Sequence, residues 1–129
     1  MTTDIIIGTD GVGNPLTVWH AFLRAAGYDP GRRTCELRHA ELVVRSLSPG
    51  VGVRGKARWG DVRYRVTVYV LPNGDSTRLL LVGTVDLRSL PARAAALRYS
   101  RRLATLDLRE VAAATVAELG LAADLARSA

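Results

Sequence analysis

The order of patterns along this chain predicts an α+β domain: an N-terminal strand and helix, an antiparallel meander of three to four strands, then two to three C-terminal helices packed on one sheet face. Three observations carry that expectation. Residues 51–71 alternate apolar and polar side chains around a Gly60-Asp61 dipeptide, the mark of a β-hairpin. A second turn dipeptide, Asn73-Gly74, leads into another strand-like run over 77–88. Apolar residues at helical spacing stand on both sides of the meander, over 16–26 and from 92 onward. A length of 129 residues with 48% hydrophobic content fits one domain, residues 1–129, with a core of its own.

Ile5, Ile6 and Ile7 form a β-prone run at the start. Asn14 stands as N-cap with Pro15 at the first helical position; Leu16, Trp19, Phe22, Leu23 and Ala26 then recur at helical spacing until Gly27 closes the helix. Tyr28 to Arg33 is a loop around Pro30 and Gly31. Residues 34–47 fit two periods. Leu37, Ala40, Val44 and Leu47 suit a helix, whereas Leu42 to Val44 suit a strand, which is preferred because a fourth strand covers a helix layer better. Ser48-Pro49-Gly50 breaks the chain before the hairpin.

A two-residue turn at Gly60-Asp61 pairs Trp59 with Val62, Ala57 with Tyr64, Gly55 with Val66 and Val53 with Val68, so one hairpin face is apolar throughout. The other face sets Arg58 against Arg63 and Lys56 against Arg65. Like charges directly opposite one another are mildly destabilising, so this face calls for an anion, an acidic neighbour or open water. Centring the next turn on Asn73-Gly74 pairs Val68 with Leu79, Val66 with Leu81 and Val62 with Val85, which continues the apolar face. Leu79-Leu80-Leu81-Val82 is apolar on both faces, which implies cover on both sides or contact with a second chain.

Beyond the meander, Ser89 is placed to cap a helix with Pro91 near its start. Ala92, Ala95, Ala96, Tyr99, Leu103 and Leu106 lie along one side, with Arg93, Arg98, Arg101 and Arg102 along the other. Asp107 and Glu110 have capping-box spacing, so a further helix is expected from Leu108, turning Val111, Ala112, Thr115, Val116 and Leu119 inward and ending at Gly120.

The net charge of +6 comes almost entirely from arginine, Lys56 being the one lysine. GC-rich codons raise Arg, Ala, Gly and Val together, so position carries more weight than count. On position, the basic hairpin face and the Arg-rich helix suggest a non-enzymatic protein that binds nucleic acid, DNA or RNA. In that reading Arg54, Lys56, Arg58, Arg63, Arg65, Arg98, Arg101 and Arg102 meet phosphates, and Tyr69 stacks on a base. The alternative is a homo-oligomeric, for instance dimeric, interaction or assembly protein whose basic face is buried against an acidic protein partner.

Three further features of the sequence point elsewhere. Gly8–Asn14 could cradle a phosphate at the helix start, but its G-x-x-G-x-G spacing is not the dinucleotide fingerprint, and Asp10 opposes an anion. Ile5 to Gly11 resembles the opening strand of nucleotide-binding universal stress proteins over those residues alone, and a small-molecule sensor using this loop is the distant third reading. Glu36 and His39 form an E-x-x-H pair, which as a single copy makes no di-metal site. His20 lies off the apolar stripe and reads as a surface residue. Two histidines, one cysteine and no serine in a nucleophile setting give no catalytic residues, no metal and no cofactor. The lone Cys35, the lack of a signal-like N-terminus and the absence of a long apolar run point to a cytoplasmic protein with no membrane partner.

Overall fold

The computed structural model describes residues 4–128. It is an α+β fold with a single antiparallel sheet. In chain order the elements are β1 (Ile5–Val12), α1 (Pro15–Ala25), β2 (Tyr28–Asp29), β3 (Thr34–Glu36), β4 (Glu41–Ser48), β5 (Gly52–Trp59), β6 (Val62–Asn73), β7 (Ser76–Val85), a 3₁₀ turn (Leu87–Ser89) and α2 (Ala94–Ser128). The strands lie in the order β1-β7-β6-β5-β4-β3-β2, so β1 returns to pair along β7 at one edge. Both helices pack on the same sheet face. No helix among the described residues is long and apolar enough to cross a membrane.

Asn14 caps α1 as expected, its Oδ1 accepting from the Thr17 amide at 2.9 Å, and Gly27 ends the helix in the left-handed region at φ 66°. Val18, Trp19, Ala21 and Phe22 are its buried residues, and the Trp19 indole donates to the Gly52 carbonyl at 2.9 Å. Residues 34–47 are strand, as preferred, split into β3 and β4 by a tight turn in which the Leu37 amide donates to the Ala40 carbonyl. The E-x-x-H pair therefore straddles the end of a strand and a turn.

The hairpin register is the expected one at every position, from Trp59 opposite Val62 to Val53 opposite Val68. The next hairpin differs. Asn73 pairs with Ser76, so the turn is Gly74-Asp75, and Val68 stands opposite Leu81 and Val66 opposite Gly83. That is a slip of two residues, and because side chains alternate with period two, the apolar set stays on the same face. Leu80 and Val82 are half-buried on the outer face, which no helix among the described residues covers.

The C-terminal expectation of two to three helices is corrected to one 35-residue helix. Asp107 does not cap a new helix because its carboxylate is engaged elsewhere, and the helix runs on through Gly120. Ser89 lies before α2 and clasps the sheet instead, its Oγ accepting from the Arg63 amide at 2.8 Å. The glycine-punctuated stretch 8–14 is not the open loop that a phosphate cradle would need. Residues 8–12 belong to β1, and Gly11 is buried where a Cβ would stand 2.8 Å from Leu119 Cδ1 and 3.2 Å from Val18 Cγ2. As an antiparallel edge strand, β1 does not carry the stress-protein likeness further.

The core lies between the sheet and the two helices. Trp59, Tyr64, Phe22, Leu79, Leu81 and Leu108 are its largest fully buried side chains along with Leu42. Each contributes about 1.5–3 kcal/mol by leaving water.

Candidate functional site at the sheet–helix interface

Trp59 and Tyr64 sit on the inner faces of β5 and β6, where alternation turns every second side chain toward α2. Their rings meet edge to face, with centroids 5.3 Å apart. Each carries a polar atom into the core, and a buried polar atom needs a partner. The partners come from α2. The Tyr64 hydroxyl and the Ser100 Oγ are 3.0 Å apart, and the Trp59 Nε1 donates to Asp107 Oδ2 at 2.8 Å. Ser100 and Asp107 are seven residues apart, two helical turns on one face, so the two polar stations lie about 10 Å apart along α2. Leu108 packs between helix and sheet beside Gly83, where an added Cβ would lie 3.5 Å from Leu108 Cδ1 and 3.8 Å from Tyr64 Cδ2.

Asp107 is the most heavily engaged side chain of this interface. Its carboxylate has 0% exposure and accepts three hydrogen bonds. Besides Trp59, the His39 backbone amide donates to Oδ2 at 2.8 Å, and His39 Nδ1 lies 2.6 Å from Oδ1. A carboxylate acceptor places the imidazole proton on Nδ1 and turns Nε2 to the other edge of the ring. The His39 side chain is 33% exposed, so it is the one member of the cluster that reaches solvent. Beside it, Glu36, Leu37, Arg38 and Glu110 line a cleft of about 100 Å³ that reaches Asp107, with Arg38 and Glu110 3.9 Å apart. No group of three or more His, Cys, Asp or Glu able to hold a metal occurs among the described residues.

The residues proposed from sequence lie elsewhere. Arg54, Lys56, Arg58, Arg63 and Arg65 are exposed on the outer face of the sheet, with Arg58 opposite Arg63 and Lys56 opposite Arg65. Tyr69 shares that face at 39% exposure. None of the five cations is in an ion pair among the described residues. Arg98, Arg101 and Arg102 stand on the exposed side of α2, where a shallow groove runs on past Leu106 to Arg109. The two basic groups are thus separated by the whole sheet–helix sandwich and look in opposite directions.

Ser100 has no place in the sequence expectations and Asp107 enters them only as a helix cap, because apolar spacing turns Tyr99 and Leu106 inward. In the structure those two are 60% and 50% exposed, and the buried stripe runs one residue later, through Ser100, Ala104, Asp107, Leu108 and Val111. The signal that points to the right phase is the pair of polar-tipped aromatics on an otherwise apolar sheet face, Trp59 and Tyr64, which need polar partners on whatever covers them.

No protein-family model and no curated protein matches the chain. Solved structures do. A START superfamily protein from Mycobacterium smegmatis is similar over 92% of this chain and 97% of its own, at 12% identity and a TM-score of 0.62. The di-domain ARO/CYC StfQ from the steffimycin biosynthetic pathway is similar over 96% of this chain and 52% of its own, at 13% identity and a TM-score of 0.65. DynU16, a putative protein in the dynemicin biosynthetic locus, is similar over 87% of this chain and 46% of its own, at 12% identity and a TM-score of 0.57. The chain shares their fold. This likeness overturns the expectation of a DNA- or RNA-binding protein. In this chain the long helix α2 lies on the inner face of the sheet, and the arginines singled out from sequence lie outside that interface.

Proposed function

We propose that the chain binds a small, largely apolar molecule between the inner sheet face and α2. The observation that carries this reading is the pattern of that interface: apolar walls from β5, β6 and β7 with two fixed polar stations, Tyr64–Ser100 and Trp59–Asp107. Small-molecule sites have this character, since apolar lining supplies affinity and a few placed polar groups fix orientation. A biosynthetic ARO/CYC protein and a START superfamily protein among the similar folds support it. The spacing of the stations favours an elongated ligand with a hydrogen-bonding group toward each end.

The test is a panel of fatty acids, sterols and mono- and polycyclic phenols, followed by melting temperature and native mass spectrometry. A 1:1 adduct that raises the melting point and weakens at least tenfold in Tyr64→Phe or Ser100→Ala is the expected result. An adduct unaffected by both changes places the ligand elsewhere, and a panel with no adduct overturns the reading.

A further inference from the structure

The side chains of Trp59, Tyr64 and Leu108 pack together between sheet and helix, so a molecule bound there has to displace α2 from β5 and β6 on its way in. We infer that the Asp107 cluster is the gate for that movement, held shut by three donors converging on one buried carboxylate and released from the His39 side. The inference rests on the ligand-binding reading above for its purpose, while the gate itself can be observed without any ligand.

The geometry supports a gate rather than a simple support. Asp107 lies near the middle of α2 and is tied to two separate parts of the sheet: to β5 through Trp59, and to the turn between β3 and β4 through two donors of His39. A buried carboxylate that loses a donor away from solvent has no water to replace it, so loss of the Trp59 donor first is unfavourable. Release has to begin where water can substitute for a donor. Trp59 has 0% exposure, whereas the His39 ring is one-third exposed on a four-residue turn. The other charged groups around that turn are Glu36 and Glu41 from the strands, Arg38 from the turn itself and Glu110 from α2, and among the described residues Arg38–Glu110 is the ion pair that crosses from turn to helix beside the His39–Asp107 hydrogen bond. A ligand that brings its own N–H or O–H donor to Asp107 would replace what the opening removes. The gate thus favours phenols, alcohols or amines over molecules that only accept.

Hydrogen exchange on the full chain without added ligand tests this. His39→Ala should raise amide exchange over residues 100–111 of α2 at least tenfold while leaving β6 and β7 amides near their wild-type rates. His39→Asn, whose amide nitrogen occupies nearly the place of Nδ1, should restore most of the protection. In a Trp19→Phe background Trp59 is the single indole, and His39→Ala should increase its quenching by acrylamide. Exchange that rises equally in α2 and in β6 and β7 would show ordinary loss of stability, and unchanged exchange would show no gate; either overturns the inference. If His39→Ala does not fold, His39→Gln, which reaches past the Nδ1 position, provides the same comparison. A gate that opens in these experiments while every compound in the panel fails to bind would leave the motion established and remove the ligand-binding reading.

Discussion

The indole N–H of Trp59 reaches across from β5 to α2 and donates to Asp107, 2.8 Å away, on a carboxylate that also takes both the backbone amide and Nδ1 of His39. This single side chain thus sets the phase in which α2 lies on the sheet. Replacing it with alanine strands the Trp59 and His39 donors in a dry interface, and a broken buried cluster of this kind costs about 3 kcal/mol or more. Asp107→Asn preserves the shape but turns an N–H toward one of the donors, for a loss of about 1–2 kcal/mol. Urea unfolding should show this order, with alanine well below asparagine and both below wild type.

Two glycines give an opposed pair of outcomes. A Cβ on Gly52 would stand 2.3 Å from the Val68 carbonyl oxygen, a backbone atom that cannot move aside, so Gly52→Ala should destabilise strongly and disturb the Trp19–Gly52 hydrogen bond that seats α1. Gly120 is exposed within α2 and has open space around its Cβ position. There alanine should stabilise by about 0.5–1 kcal/mol, because it restricts the unfolded chain and suits a helix interior. Thermal melts of the two variants should move in opposite directions.

Burial pushes the Cys35 thiol up from 9.0 to about 11, because no water reaches it to solvate a thiolate. The folded pKa is raised, so its contribution to stability is complete below pH 9 and is lost as pH rises through 11, where the folded thiol also ionises. The loss amounts to about 2–3 kcal/mol across that window. Comparing the wild type with Cys35→Ala from pH 8 to pH 11 isolates it: the wild type should lose stability more steeply. Native protein should also resist thiol-specific reagents at pH 8 and react only on unfolding.

Alternation and turn chemistry made much of this fold legible. The Gly60-Asp61 turn and the period-two pattern around it fix every pair from Trp59–Val62 to Val53–Val68, since a one-residue slip would bury Arg58 and Arg63. The Asn73-Gly74 assignment missed by two because either dipeptide, 73–74 or 74–75, leaves the same apolar face inside. The pairing of β1 with β7 joins the first and last strands in chain order, and no local pattern encodes it. The site was illegible for a different reason. Periodicity assigns apolar residues to the core, whereas α2 buries Ser100 and Asp107 and exposes Tyr99 and Leu106, a choice made favourable by the polar tips of Tyr64 and Trp59 together with the two His39 donors.

The outer face of the sheet offers a last check on the separation of site and charge. Arg58 stands directly opposite Arg63, and Lys56 opposite Arg65, with no acidic partner within 4 Å among the described residues. Opposed like charges on exposed strands are unfavourable by a few tenths of a kcal/mol, and salt screens them. Arg58→Ser with Arg63→Ser should therefore leave the melting temperature unchanged or slightly raised at low salt, with the difference vanishing near 0.5 M salt, about where the Debye length falls to a few ångströms. Because the inner interface lies on the opposite side of the sheet, the same double variant should keep the wild-type affinity for any ligand found by the panel. A ligand that binds the wild type and is lost in this variant would move the site to the outer face and away from Trp59 and Asp107.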